Sequence, residues 1–361
     1  MSQTPVSQTQ YPCSNCGANV VFAPGTTVLK CPYCGAETPL APTGQQVREH
    51  SFTQFAGLPR KPIAALAPYE FTCQGCGAVT QSDKISDHCQ FCGAPVVADA
   101  SSGDMVAPEA VLPFGVDRPA LREALRTWAS SRWFAPSGLK KVTEAESSHS
   151  TYLPHWTYDA STVSRYRGQR GEHYWETETY TENGETKTRQ VQRTAWYPAS
   201  GVVARDFDDL LVPGTTRVAP KHLGVLEPWP LPESEPYRPD YLAGHETLRY
   251  DVEPEAGLDV AKQRMARDIE GDCRQDIGGD EQRVTSVDTD YRDVMFKLML
   301  LPVWIACYLH AGKTYNIVVN GRTGEVAGER PYSVPKIVAA VAAALAVIAV
   351  IVILVLMNRH R

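Results

Sequence analysis

The chain has 361 residues, of which 43% are hydrophobic and 21% charged, and its formal net charge is −6. This composition is ordinary for folded proteins, so it excludes wholesale disorder, and the length allows two or three domains. The acidic balance argues against a nucleic-acid partner, because such binding relies on basic side chains that neutralise phosphates.

Four CxxC pairs near the N-terminus, each followed by Gly and Ala, have the spacings CxxC-x14-CxxC and CxxC-x12-CxxC. A CxxCG turn aims two sulfurs at one ion, and its glycine permits the positive φ that such a tight turn needs. Two turns complete a tetrahedral site and leave no position for a substrate. The eight predicted metal ligands are Cys13, Cys16, Cys31, Cys34, Cys73, Cys76, Cys89 and Cys92.

The pairs predict two small zinc ribbons, at residues 1–40 and 69–98, that hold two structural zinc ions in total. Residues 41–68, with six prolines or glycines, are the predicted linker. Rubredoxin-like iron and redox-active CxxC chemistry are the alternatives, although a redox motif does not require two matched copies. His88 adjoins Cys89 but is not needed as a ligand, because four cysteines already complete the site.

The first ten residues are polar and have neither the basic nor the apolar stretch of a signal peptide. Metal-bound thiolates fit a reducing cytosol better than an oxidising compartment. We therefore expect the N-terminal bulk of the chain to lie in the cytosol.

An α+β region with antiparallel hairpins is predicted at residues 109–332. Its first helix is expected to begin after Asp117, a good N-cap residue, and to end near Pro136 and Gly138. A second helix is predicted from about residue 258 to residue 277, where Gly-Gly follows.

Two Asn-Gly pairs mark β-hairpins in this region. Counting outward from the first, at positions 183–184, pairs Glu178 with Arg189. Both faces of this hairpin are polar over much of their length, so we expect it to project into solvent. The second hairpin spans Tyr315 to Val326.

The pattern LPxW occurs twice, as Leu153-Pro-His-Trp156 and Leu301-Pro-Val-Trp304. Each copy enters a predicted strand, follows a predicted helix and precedes an aromatic-rich ribbon. The similarity suggests a duplicated α+β unit in which both tryptophans anchor the core.

Residues 336–357 predict a transmembrane helix. From Ile337 to Met357 the chain has 21 residues without a charged or polar side chain and without Gly or Pro. At about 1.5 Å per residue this run spans roughly 31 Å, which matches a hydrocarbon core of about 30 Å. A buried core or assembly helix is the alternative. We expect a single-pass tail anchor.

Familiar catalytic signatures do not appear. The stretch Gly312-Lys313-Thr314 lacks the first glycine of a P-loop, because Cys307 occupies that position. There is no HExxH or GxSxG motif, and neither Cys273 nor Cys307 has the sequence context of a nucleophile. The sequence therefore predicts that the protein is not an enzyme.

Together with the cysteine pairs and the C-terminal helix, five segments resemble a bacterial family of TFIIB-type zinc-ribbon membrane proteins. Its members are often labelled as relatives of the primosomal helicase N-prime, or replication factor Y. This chain has no helicase motor, so that likeness covers the ribbons at most. Some members are linked to envelope-stress systems built around phage-shock protein A. The segments are RWFAP (132–136), YLPHW (152–156), FDDLLVP (207–213), DIGGDEQR (276–283) and NGRTGEV (320–326).

The resemblance and the residues together predict a membrane-anchored adaptor or scaffold at the cytosolic face of the bacterial inner membrane. Its zinc ribbons would bind protein partners, and the C-terminal helix would hold them at the bilayer. The alternative is a nucleic-acid-binding protein related to replication factor Y without helicase activity. A gel shift at low salt that fades steeply as salt rises would favour that alternative.

Overall fold

The computed structural model describes residues 8–9, 11–41, 44, 46–56, 69–73, 78–90, 93–98, 106–132, 148–310, 313–329 and 333–359. The α-helices of these residues are α1 (Phe52–Ala56), α2 (Arg118–Ser130), α3 (Pro220–Val225), α4 (Pro254–Ile277) and α5 (Val334–Arg359). The strands are β1 (Gln8–Thr9), β2 (Val21–Phe22), β3 (Val28–Lys30), β4 (Glu37–Pro39), β5 (His50–Ser51), β6 (Tyr69–Thr72), β7 (Val79–Ser82), β8 (Lys84–His88), β9 (Pro95–Ala98), β10 (Ala110–Val111), β11 (His149–Glu182), β12 (Glu185–Pro213), β13 (Glu235–Pro236), β14 (Glu246–Leu248), β15 (Glu281–His310), β16 (Lys313–Asn320) and β17 (Val326–Gly328).

Three strands are far longer than the usual five or six residues. β11 has 34 residues, β12 has 29 and β15 has 30. β11 pairs antiparallel with β12 on one side and with β15 on the other. These strands form the centre of a 12-stranded sheet, which confirms a sheet-rich region after the cysteine pairs.

The first predicted hairpin is confirmed, and it projects beyond the third strand. β15 pairs with β11 only as far as Gly171, whereas β12 continues to the turn at positions 183–184. We call residues 172–195 the arm; its length is roughly 36 Å at 3.3 Å per residue. Glu178 pairs with Arg189 as predicted, and their side chains form an ion pair at 2.8 Å.

The turn of the arm adopts the conformation that its Asn-Gly sequence predicts. The φ angles of Asn183 and Gly184 are 54° and 82°, as a type I′ turn requires. The second predicted hairpin is present as β16 and β17, which pair antiparallel from Ile317↔Gly328 to Val319↔Val326.

The N-cap of α2 is confirmed, but its predicted end is wrong. Asp117 accepts a hydrogen bond from the N–H of Ala120 at 2.9 Å. The helix ends at Ser130 rather than near Pro136 and Gly138. The hydroxyls of Ser130 and Ser131 donate to the carbonyls of Thr127 and Trp128, so they compete with the backbone for helical hydrogen bonds.

The second predicted helix, α4, is present but begins four residues earlier than expected. Pro254 occupies its first turn, where a missing N–H costs nothing. It ends at Ile277 as predicted, and Gly278 follows with φ 65°.

The two LPxW segments lie side by side at the centre of the sheet, where Leu153 pairs with Leu301. The indole N–H of Trp156 donates to the carbonyl of Val252 at 2.9 Å, two residues before α4. The indole N–H of Trp304 donates to the carbonyl of Val116 at 2.9 Å, two residues before α2. The start of α4 is therefore bound by Trp156, which follows α2 in the chain. The start of α2 is bound by Trp304, which follows α4.

Parts of the cysteine-rich region join the large sheet. β9 pairs with β1 and β8, and β8 pairs with β14, although β6 and β7 form a two-stranded sheet of their own. Within the predicted linker 41–68, β5 pairs with β15. The cysteine-rich segments therefore pack on the α+β region rather than hanging from it.

The helix α5 contains one stretch, Pro335–Met357, that is long and apolar enough to cross a membrane. Its most apolar 18-residue window is entirely unburied in the protein. A core helix would be largely covered, so the exposure fits a helix that is surrounded by lipid.

Candidate metal centre

The structure brings together the first four predicted ligands. The Sγ atoms of Cys13, Cys16, Cys31 and Cys34 all lie within 4.8 Å of one another. The Cys13–Cys34 and Cys16–Cys31 sulfurs are both 3.6 Å apart. A tetrahedral zinc ion with Zn–S bonds of about 2.3 Å requires sulfurs about 3.8 Å apart. The cluster could therefore hold one metal ion with little rearrangement.

Each turn of this cluster is built by the same backbone hydrogen bonds. The N–H of Cys13 donates to the carbonyl of Ala18 at 2.6 Å, and the N–H of Cys31 donates to that of Ala36 at 2.8 Å. The two glycines have φ of 75° and 74°, a region that a side chain rarely adopts. The CxxCGA sequence thus places the sulfurs by a local and repeated geometry.

Backbone N–H groups lower the pKa of two of the thiols, whereas hydrogen bonds with the sulfurs of Cys34 and Cys31 raise the pKa of Cys16 to about 12. Hydrogen bonding from the backbone of Cys34, assisted by Tyr33, lowers the pKa of Cys31 to about 6. The backbone of Cys16 and that of Asn15 lower the pKa of Cys13. A lowered pKa favours the thiolate, which is the form that binds a metal.

The second set of cysteines repeats part of this geometry. The N–H of Cys73 donates to the carbonyl of Ala78 at 2.8 Å, and the N–H of Cys89 donates to that of Ala94 at 2.8 Å. Both of these cysteines are buried. Cys76 and Cys92 lie outside the described residues, so the structure describes one four-cysteine cluster.

A metal ion bound by four thiolates would have no open coordination position, so this centre is suited to a structural role. Cys13 and Cys31 belong to the same hydrophobic cluster as Phe22 and Tyr241, whose rings meet edge-on at 5.1 Å. The cluster of sulfurs thus lies next to the surface by which the first cysteine segment packs on the α+β region.

His245 is buried between Phe22 of the first cysteine segment and Phe114 of the α+β region, and the sequence did not predict its burial. Its buried ring stacks on Phe114 with centroids 4.4 Å apart and meets Phe22 at 6.2 Å. Burial lowers the pKa of His245 to about 3, and the nearby Phe22 backbone offsets this only in part. The imidazole is therefore neutral in the folded protein.

We expect His245→Phe to reduce the loss of stability at acid pH. Below its pKa of about 6.5 the imidazole binds a proton in the unfolded chain, whereas the buried imidazole stays neutral down to about pH 3. The contribution of this group to the free energy of unfolding is therefore fully present above pH 6.5 and decreases as the pH falls toward 3. When the pH is lowered from 8 to 5, the free energy of unfolding of the variant should decrease by about 2 kcal/mol less than that of the wild type. Urea unfolding of detergent-solubilised protein at both pH values measures the difference.

The exposed His149 offers a matched control, because its side chain is 66% exposed. His149→Asn should leave the acid-induced loss of stability as it is in the wild type. An equal effect of both substitutions would contradict the assignment to the buried ring.

Two further clusters of ionisable groups were not foreseen. Lys297 is buried, and its ammonium donates to Glu49 at 2.8 Å and to Asp209. Asp159 adjoins them, and burial followed by its hydrogen bond with Glu49 raises its pKa to about 7. This cluster ties the segment before β5 to the sheet, because Glu49 comes from that segment.

In the second of these clusters, Lys84 donates to Glu246 at 2.9 Å beside Asp87 and His88. In each cluster one ammonium group pairs with two carboxylates. Cys273 is buried in α4, and burial raises the pKa of its thiol, which disfavours a nucleophilic thiolate. The side chain of Cys307 lies outside the described part of the chain.

No protein-family model matches the chain, and no solved structure matches it. The chain is similar to a protein of Bacillus subtilis (strain 168) that bears the description "Uncharacterized protein YdjG". The two are 26% identical over 342 residues, which cover 91% of this chain and 92% of the relative. The similarity therefore covers most of the length of both chains.

Proposed function

We propose that this protein is a membrane-anchored zinc-ribbon adaptor or scaffold that binds protein partners at the cytosolic face of the bacterial inner membrane. The observation that carries the proposal is the four-sulfur cluster, which leaves a bound ion no room for substrate, in a chain with an unburied apolar helix. Zinc fits the four sulfurs by charge, geometry and softness. A role in envelope stress rests on the family resemblance alone.

The proposal includes a second zinc ion at Cys73, Cys76, Cys89 and Cys92. The shared turn geometry at Cys73 and Cys89 supports it, because the same backbone hydrogen bonds place the first four sulfurs. Each ion would stabilise the fold of the short segment that binds it. Segments of this size have a small hydrophobic core of their own and usually need a metal ion or a disulfide to fold.

Tyr33 is the best candidate for direct contact with a partner. Its side chain is 82% exposed, the largest value among the described large hydrophobic residues. It stands in the turn between Cys31 and Cys34, whose backbone the metal would hold rigid. Exposed tyrosines on rigid supports are frequent at the centres of protein interfaces, because they bury much area at little entropic cost.

Affinity purification from detergent-solubilised membranes tests this function. We expect the wild type to retain protein partners and about two zinc ions per chain. The double variant Cys31→Ser with Cys89→Ser should lose both, because each substitution removes one ligand from one site.

Cys273→Ser is the matched control, since it makes the same chemical change at a buried thiol in α4. It should retain partners and zinc. Partners that persist after zinc is lost would place binding on the α+β region and would overturn a docking role for the cysteine segments.

A further inference from the structure

The arm has an open edge where the third strand of the sheet ends. β15 begins at Glu281 and pairs with β11 as far as Gly171. Beyond that point, residues 172–182 of β11 pair with β12 alone among the described residues. A two-stranded ribbon is only marginally stable in water, and a third strand would stabilise it. The arm therefore offers a position for one more strand, in line with β15.

Every second residue of β11 directs its backbone N–H and C=O groups toward this edge. The carbonyl of Gly171 accepts a hydrogen bond from the N–H of Asp280 at 2.9 Å, and the N–H of His173 donates to the Asp280 carboxylate at 2.7 Å. Both groups therefore point toward the side of β15. Because the direction alternates along an antiparallel strand, the backbone groups of the odd-numbered residues from 175 to 181 point the same way. No strand of the described residues pairs with them.

The side chains along this edge are acidic. The β11 part of the arm has four glutamates and neither lysine nor arginine. The whole arm has five acidic and three basic residues, so the ion pairs across it, such as Glu178–Arg189, leave a negative excess. Asp280 and Glu281 add two carboxylates at the base of the arm. The four glutamates are Glu172, Glu176, Glu178 and Glu182.

Two tyrosines lie among the glutamates on the same face of the arm. Tyr174 and Tyr180 share this face because even-numbered residues of a strand point to one side. Their side chains are 45% and 38% exposed. Tyrosine rings attract arginine and lysine side chains, and Arg189 lies 5.4 Å from the Tyr180 ring. The face therefore suits basic side chains that recur at every second position of an extended chain.

We propose that the open edge of β11, residues 174–182, binds a basic extended segment of a partner protein as an added antiparallel strand. Main-chain hydrogen bonds would pair the segment with β11, and the glutamates would select lysine or arginine at alternate positions. The inference does not depend on the metal cluster or on the membrane anchor. So small a contact is weak, and alone it would not retain a partner during affinity purification.

A second copy of this chain is a poorer occupant of the edge. Two β11 edges side by side would place glutamates against glutamates, which is destabilising. β12 of a second copy has basic residues, but it continues to Pro213. Paired antiparallel with the arm, it would run past Gly171 and collide with β15. A separate segment no longer than the open edge has neither problem.

Fluorescence anisotropy of labelled peptides, with the full chain in detergent, tests the proposal. The probes are decapeptides that alternate Lys with Thr, Glu with Thr, or Lys with Pro. The third keeps the positive charge but lacks half of the N–H groups and does not form a regular strand. We expect the Lys-Thr peptide to bind at least about tenfold more tightly than either of the others, and less tightly in 0.5 M salt.

Charge reversal locates the binding edge. Glu176→Lys with Glu178→Lys should weaken binding of the Lys-Thr peptide by at least about tenfold, because two attractive pairs become repulsive. Asp206→Lys with Asp208→Lys is the matched control, since these exposed carboxylates have the same spacing on β12 outside the arm. It should leave the affinity unchanged.

A proline on each edge tests the main-chain pairing. Thr179 and Thr188 face each other in the register of the arm, and their N–H groups point to opposite edges. Thr179→Pro removes an N–H from the proposed binding edge and should weaken binding by at least about tenfold, whereas Thr188→Pro should not change it. Equal resistance of the two variants to protease shows that the arm stays paired.

Either of two results would overturn the proposal. One is a Lys-Thr peptide that binds no more tightly than the Glu-Thr and Lys-Pro peptides. The other is undiminished binding after the reversal of Glu176 and Glu178, which decides the matter even if Thr179→Pro unfolds the arm. Neither result involves zinc or the bilayer, so this failure is distinguishable from failure of the proposed function.

Discussion

Cys31→Ser should release the metal ion from the first cysteine cluster and unfold residues 11–41. Serine does not ionise at neutral pH, so the site loses one of its four thiolates. Metal binding contributes roughly 10–16 kcal/mol to the folding of small zinc modules, which adds here to the packing of Phe22 on the α+β region. Plasma mass spectrometry should find about one zinc ion fewer per chain, and limited proteolysis should cut within this segment.

Ser14→Ala is the matched control, because Ser14 is exposed between Cys13 and Cys16 and contributes no ligand in the cluster. It should keep the metal and the resistance to protease. A Cys31→Ser chain that retains its full zinc content would contradict a four-cysteine metal site.

Trp156→Ala should lower the free energy of unfolding by about 3–5 kcal/mol. The ring is fully buried, meets Tyr250 at 4.9 Å and Phe296 at 5.9 Å, and its N–H holds the start of α4 through Val252. The substitution leaves a cavity and an unpaired carbonyl between the helix and the sheet. Urea unfolding followed by circular dichroism measures the loss.

Trp175 in the arm provides the comparison, since its side chain is 66% exposed. Trp175→Ala should change the free energy of unfolding by less than about 0.5 kcal/mol. Similar losses for the two substitutions would mean that the ring of Trp156 does not anchor the core.

Features that depend on a few neighbouring residues were predictable from the sequence. The CxxCGA turns, the Asn-Gly turn of the arm and the N-cap Asp117 each specify their backbone through local hydrogen bonds or a required positive φ. The register of the arm followed from its turn, because a two-residue loop fixes which residues face each other.

Long-range pairing was not predictable in the same way. Nothing near Leu153 specifies that it pairs with Leu301, because strand partners are chosen by burial of whole faces rather than by local sequence. The LPxW repeat indicated two similar units, but not that each helix packs on the tryptophan following the other helix. The end of α2 was predicted wrongly because helix propensities do not account for the two serine hydroxyls. These hydroxyls compete with backbone N–H groups for the last helical carbonyls.

Buried polar groups were also missed. His245 and Lys297 look like surface residues in the sequence, since charged and polar side chains are usually exposed. Lys297 is buried because it pairs with Asp209 and with Glu49, which comes from the predicted linker. Such pairs join segments that are about 250 residues apart, and no spacing rule connects them.

Site-specific photo-crosslinking at Tyr33 in living cells tests most directly whether the metal-bound first cysteine segment binds a protein partner at the membrane. With Tyr33 replaced by benzoylphenylalanine, we expect one discrete protein adduct in the membrane fraction that disappears when Cys31→Ser is added. An adduct that persists without the zinc ligand, or one that forms only from Trp175 in the arm, would contradict it.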